Sequence, residues 1–240
     1  MKPTFRPELF VPLLLGGKRI GWLRPELAAR LGAWKEVFQA NAERVTLLQP
    51  DALSPVVAQL AKEGFITGWR NERYRIADLF EVERAAALPF GFPTRAVHLN
   101  GIAAERMWLA RRSTTKQTDP GMLDNLVAGG ISVGYSVEAT LVKEAWEEAG
   151  LPVELSQRAK FGGTLTVVRE VPRGVQWETV IIYDLELPAD FRPANQDGEV
   201  SEFKLLAFSE VEQQIADGAL THEAALAAQD YLKRRRAKAP

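Results

Sequence analysis

Three glutamates near the middle of the chain, Glu144, Glu147 and Glu148, are the residues whose type and spacing could do chemistry. If their segment is helical, they fall within an arc of roughly 100°. Like charges crowded on one face repel one another, so the arrangement needs a reason. A hard cation such as Mg²⁺ is the economical one, because it takes oxygen ligands and shares its shell with phosphate oxygens. The competing reading is a solvated acidic face in which Lys143 pairs with Glu147 at i,i+4. For a bare Glu-x-x-Glu-Glu, that plainer reading leads.

The elements around the glutamates are legible. Ser136 is a good N-cap with Glu138 in the first turn, and Gly150 followed by Pro152 is a good stop. The helix between them should bury Val142, Ala145, Trp146 and Ala149, and leave Glu148 facing a site rather than the core. A glycine-rich loop, residues 129–134, feeds it.

Upstream, residues 9–15 and 19–23 flank Gly16-Gly17 as a hairpin. A helix opens at Pro25, its apolar face continued by Trp34, Val37 and Phe38, and a short strand covers 45–48. A second helix runs from Ser54-Pro55 to Gly64, and a strand covers 69–76. Residues 89–93, Pro-Phe-Gly-Phe-Pro, read as a linker, which gives domains 1–92 and 93–240. Beyond it, strands are expected at 94–100 and 107–111, turning around Gly101 and Ala103. A hairpin follows across 171–174, with a last strand at 203–207. Ser209 to Glu212 reads as a capping box, Thr221 caps the last helix, and the cations 233–236 suit that helix's C-terminal dipole. The class is α+β.

Composition narrows the partners. The 240 residues are 46% hydrophobic and 25% charged, as in an ordinary soluble globular protein, and the net charge of −1 gives no support for nucleic-acid binding. The apolar run 9–15, broken by Pro12, is too short for a membrane span and a poor signal peptide, so a cytoplasmic protein is the expectation. With no cysteine there are no disulfides, thiolate metal sites or thiol nucleophiles. Neither His-Glu-x-x-His nor Gly-x-Ser-x-Gly occurs, which removes the basis for zinc-protease and serine-hydrolase readings. A homodimer is left open.

The run from Gly129 to Leu151 resembles the Nudix box. Gly129 fills the first glycine, Glu144 the glutamate after the arginine position, Glu147 and Glu148 the pair, and Gly150-Leu151 the end. Two positions depart: Tyr135 stands where the first glutamate belongs, and Lys143 replaces the arginine. The flank sharpens the likeness. Arg112-Ser113-x-x-Lys116, Pro120-Gly121-Met122-x-Asp124-Asn125, Gly21-Trp22-Leu23 and 97–101 resemble a group related to the Nudix domain fused to fungal thiamine pyrophosphokinase. The resemblance implies a Nudix α/β/α sandwich around a mixed sheet, preceded by a small α+β domain. It also implies a Mg²⁺-dependent hydrolase, with Mn²⁺ an alternative, acting on a small-molecule diphosphate. Members of the group have been linked to thiamine diphosphate and its damaged analogues. A weaker likeness to isopentenyl-diphosphate isomerase fails, because that chemistry uses a cysteine.

On this resemblance Gly129, Glu144, Glu147 and Glu148 would hold the metal, with Glu148 catalytic, and Glu199, in a loop before the last strand, would be an added ligand or base. Arg111, Arg112 and Lys116 are candidate contacts to a diphosphate. Trp177, Phe90 and Phe92 could wall a heteroaromatic ring, although core packing competes for Trp177. His98, in an apolar strand, reads as a hydrogen-bonded structural residue. The rivals to this enzyme are a box that senses a nucleotide or diphosphate without turnover, and a hydrolase of ADP-ribose-like nucleotide sugars.

Overall fold

A computed structural model describes residues 5–238. Contacts divide the chain into two compact units. The first takes Met1–Thr94, Ser132–Gly134 and Thr166–Thr179; the second takes Arg95–Ile131, Tyr135–Leu165 and Val180–Pro240.

In the first unit, β1 (Val11–Leu15) and β2 (Lys18–Leu23) form the antiparallel hairpin expected around Gly16-Gly17. Helix α1 (Pro25–Leu31) stops at Gly32. Its apolar face is therefore not continued to Phe38, which begins β3 (Phe38–Ala40), paired with β4 (Val45–Leu47). β4 runs parallel to β1, giving a mixed sheet of order β2-β1-β4-β3. Helix α2 (Leu53–Lys62) buries Leu53, Val56, Val57 and Leu60 against this core. A two-stranded ribbon follows, β5 (Arg73–Ile76) with β6 (Phe80–Glu83). The strand expected over 69–76 starts only at Arg73, because Asn71 takes a positive φ and breaks the extended run.

Residues 89–93 are not a solvated connector, although the change of unit follows directly after them. Residues 89–93 hold the end of α3 (Ala87–Phe90), and Phe90 and Phe92 are 0% and 1% exposed with rings stacked at 5.0 Å. Two aromatic side chains carry too much apolar area to sit in a solvated connector when a core lies beside them. Neither ring has surface left to wall a ligand.

The second unit is built on β7 (Pro93–Ala103) and β8 (Arg106–Arg112), which turn at 104–105 rather than around Gly101. β9 (Leu123–Asn125) pairs with β8 and β10 (Val127–Gly130) with β7. Then come α4 (Val137–Ala149), α5 (Val153–Ser156), β11 (Lys160–Val171), β12 (Gly174–Glu186) and β13 (Val200–Ala207), with α6 (Phe208–Ala216) and α7 (His222–Lys238) at the end; the adjoining ends of β11 and β12, within Thr166–Thr179, count with the first unit. The sheet has the order β11-β12-β7-β8-β13.

Alternation along the strands sends side chains to two faces. Val97, Leu99 and Trp108 pack with Leu141, Ala145 and Ala149 of α4. Ile102, Met107 and Leu109 pack with Val211 of α6 and with Ala224, Ala228 and Leu232 of α7. Helices thus cover both faces, the α/β/α arrangement expected. The α7 side also carries a buried polar line. His98 Nδ1 lies 2.7 Å from Asn125 Oδ1, Asn125 donates to Asn100 (2.9 Å), and Asn100 donates to Asp184 (3.0 Å). His98 is therefore hydrogen-bonded and structural, as its setting suggested.

Two local expectations need correction, and a third feature has partners that the sequence did not show. On α4 the buried face is Leu141, Ala145, Glu148 and Ala149, while Trp146 is 53% exposed. Positions 141, 145 and 148 share one side of the helix, and 146 lies about 100° from 145. At α6 the cap is one-sided: Glu210 accepts the Ala207 N–H (2.6 Å), and Ser209 lies inside the helix. The basic residues near the end of α7 are held by carboxylates, Arg234 by Asp184 and Asp230 (2.6 Å each), Arg235 by Glu105 and Arg236 by Glu212. Among the described residues no helix is long and apolar enough to cross a membrane.

Candidate active site

α4 is placed by its ends. Ser136 Oγ accepts the Ala139 N–H (3.1 Å), and Gly150 closes the helix with φ 63°. A side chain at 150 would also strike the Ala194 carbonyl, 2.8 Å from where its Cβ would stand. α4 in turn anchors the loop before β13: Ala149 O accepts from Ala194 N (3.0 Å) and Glu147 O from Gln196 N (2.8 Å). Within that loop Asp197 accepts the Glu199 N–H (2.8 Å), and Glu199 O accepts from Ser113 N (2.8 Å). Glu199 is thereby carried to the segment after β8.

Glu144 and Gly129 come together as expected. A Cβ at 129 would lie 2.3 Å from Glu144 Cγ, so only glycine lets the carboxylate stem pass over the β10 backbone. Glu148 accepts the Ala128 N–H (2.8 Å) and is buried, 5% exposed, rather than turned to an open site. Burial pushes its carboxyl upward, with Glu144 and Asp124 adding, while the Lys116 ammonium and the Ala128 N–H favour the charged form. Glu147 is less enclosed and pairs with Lys143 (2.6 Å).

Two lysines bridge these carboxylates. Lys143 Nζ is 3.0 Å from Glu144 and 2.6 Å from Glu147. Although burial opposes it, hydrogen bonds to the two glutamates raise its pKa above the ordinary value. Lys116 bonds Glu199 and stands 3.9 Å from Glu148. With these bridges made, the described residues include no group of three or more His, Asp or Glu side chains that could hold a metal ion. The donors at hand, carboxylate oxygens with no thiolate, nevertheless fit a hard divalent cation rather than a thiophilic one.

Both arginines before the box turn out to be engaged. Arg111 donates to Glu202 and to the Gly121 carbonyl (2.8 Å each). Arg112 donates to Asp124 (2.8 Å) and twice to the Thr118 carbonyl (3.1 and 2.9 Å). Their role here is to shape residues 113–121, the loop that delivers Lys116. Asp124 has no assigned part in the sequence reading, since an ion pair across two strands leaves no mark in spacing. Trp177 lies in the first unit, partly buried against Phe10, Trp22 and Val175. Tyr135, at the departed glutamate position, is exposed.

Residues 93–229 match the family described as "NUDIX domain", more than half the chain. The chain belongs to the Nudix family. Residues 2–94 match a "Domain of unknown function (DUF4743)". Relatives of this Nudix protein include Nudix hydrolase 20, chloroplastic, of Arabidopsis thaliana, 33% identical over 229 residues, 84% of this chain and 61% of that protein. Nudix hydrolase 24, chloroplastic, of the same plant is 35% identical over 222 residues with the same shares. Uncharacterized protein YJR142W of Saccharomyces cerevisiae is 31% identical over 234 residues, 84% of this chain and 68% of that one. The chain thus spans about 61% of the length of the two plant relatives.

Proposed function

We propose that the second unit hydrolyses a diphosphate bond with the help of Mg²⁺ or Mn²⁺, and that its substrate is thiamine diphosphate or an analogue with a damaged ring. The observation that carries the chemistry is the convergence of Gly129, Glu144, Glu148, Glu199 and Lys116 from four separate segments. In this reading residues 93–240 are the hydrolase and residues 1–92 an accessory domain. Gly129 O, Glu144, Glu147 and Glu148 would hold the divalent cation, which would supply Lewis-acid polarisation of a phosphoryl oxygen and a more acidic bound water. Glu199 takes the proton of that water. Lys116 supplies positive charge to the phosphate oxygens, where an ammonium acts as a point charge on a flexible stem. Arg111 and Arg112 act one step back, by fixing the Lys116 loop.

The names of the plant relatives support hydrolysis, and the sequence likeness to the thiamine-linked group supports the substrate. One observation favours a second reading, a module that binds a diphosphate without turnover: exposed Tyr135 replaces a glutamate and Lys143 ties up Glu144 and Glu147. A kinetic panel with Mg²⁺ and Mn²⁺ separates them. Thiamine diphosphate analogues, especially those with an altered ring, should show higher kcat/KM than ADP-ribose, NADH or nucleoside triphosphates. Tenfold preference for ADP-ribose or a nucleotide, about 1.4 kcal/mol, would overturn the substrate. Absence of any diphosphate-cleavage product (monophosphate, phosphate or pyrophosphate) from all of them would overturn the enzyme.

A further inference from the structure

Lys116 is the better enclosed of the two bridging lysines. Its side chain is 13% exposed, against 38% for Lys143, and it stands between Glu148, at 6%, and Glu199, at 35%. Glu148 lies out of water with the Lys116 ammonium 3.9 Å away, so it gains more from a positive neighbour than an exposed carboxylate would. Lys143 sits on the same helix as its partners and bridges them at the surface, a pairing that contributes little. Lys116 instead reaches across from a loop that the backbone holds at both ends. Ser113 N donates to Glu199 O, and Gly121 N donates to Arg112 O.

Resting on the hydrolase reading, we propose that Lys116 is an exchangeable internal counter-cation. It neutralises Glu148 and Glu199 in the metal-free protein, and gives up both carboxylates when a divalent cation takes them. Two cations cannot share the same enclosed oxygens, because their repulsion at about 4 Å is poorly screened away from bulk water. The lysine's four-carbon stem lets the ammonium swing while the loop stays fixed at its ends. The exchange makes every metal-binding event compete with an ion pair already present. It also turns Lys116 outward only when the site is loaded, so that its charge becomes available to a phosphate at that moment.

The test is Mn²⁺ affinity, read from the electron paramagnetic resonance of free Mn²⁺ with no substrate present. Lys116→Gln should bind Mn²⁺ about tenfold more tightly than the wild type, or 1.4 kcal/mol. Lys116→Arg, which keeps the charge, should not. Equal or weaker binding by Lys116→Gln overturns the exchange and leaves the hydrolase reading standing. Absence of Mn²⁺ binding by both proteins overturns the two together. A second measurement needs no variant: Mn²⁺ should raise the rate at which an acylating reagent modifies Lys116 in the wild-type chain, mapped by peptide mass spectrometry. An unchanged or lowered rate overturns the proposal even if Lys116→Gln fails to fold.

Discussion

The two units bury different things. Among the described residues of the first, Glu83 and Thr94 are the buried polar side chains, and its main core is one apolar cluster from Leu13 to Phe92. The second buries His98, Asn100, Asp124, Asn125, Thr140, Glu148, Ser156, Thr221 and Glu223, and its apolar side chains fall into separate clusters on either side of the sheet. Buried polar groups cost free energy unless each finds a partner, so they persist where they fix something an apolar contact cannot. In the second unit they fix two strands that lead to the glutamates. Asn125 ties β9 to β7, and Asp124 holds Arg112 and through it Thr118. The lesson is that one unit holds its shape through apolar packing, while the other also holds the aim of particular side chains.

If so, the largest single loss of stability should come from the apolar unit. Phe92→Ala, which empties a fully buried ring site, should cost about 3–5 kcal/mol, measured as a fall in the urea midpoint. A cost below 1 kcal/mol would mean that the stacked pair with Phe90 is not what closes that core.

In the second unit the corresponding change should strike activity instead. Glu148→Gln keeps the shape and still accepts the Ala128 N–H, yet should lower kcat by two to three orders of magnitude, about 3–4 kcal/mol of barrier. Near-normal turnover in the folded variant at saturating Mg²⁺ would remove Glu148 from the mechanism.

Asn125→Ala tests the polar line itself. Stripping a group that serves both His98 and Asn100 should cost about 1–3 kcal/mol, because both partners stay buried without it. The comparison is broken if this variant proves as stable as the wild type.

The smallest effect belongs to a surface ion pair of the first unit. Arg30 holds Glu63, with help from Gln59, down to about 2. A carboxylate depressed by folding contributes stability that is complete above its unfolded pKa of about 4.5 and is lost as the pH falls toward 2. Glu63→Gln should therefore flatten the acid limb of the stability curve below pH 4.5 and change nothing at pH 7 beyond the weak pair itself. Since Glu63 is open to solvent, the change will be slight. An unfolding series from pH 6 to pH 2.5 reads it.

What could be read in the sequence was whatever is local. The turn at Gly16-Gly17, the Ser136 cap and the αL stop at Gly150 are set by residues within a few positions of one another, and they stand where expected. The second-unit sandwich was legible through the periodicity of its elements and the box. What the sequence hid depends on distant partners. Phe90 and Phe92 look like connector residues until a core is placed beside them. Trp146 outweighs Ala145 and Ala149 on any hydrophobicity count, yet the smaller residues lie on the packed side because the helix sits close to the sheet. Nor does spacing show that the strands bring Glu202 to Arg111 and Asp124 to Arg112, each at 2.8 Å.

The frame around Lys116 has a consequence for how this protein could change its taste. Arg112 holds the Thr118 carbonyl and Arg111 the Gly121 carbonyl, so the loop is fastened by its main chain at these points and not by the identity of the side chains between. Thr114 and Gln117 are exposed within that span. Replacing them alters what the loop presents while its fastening persists, so, on the hydrolase proposed above, substitutions at these two positions should leave the Lys116 loop in place. The fold of this loop, in this arrangement, does not depend on these two exposed side chains.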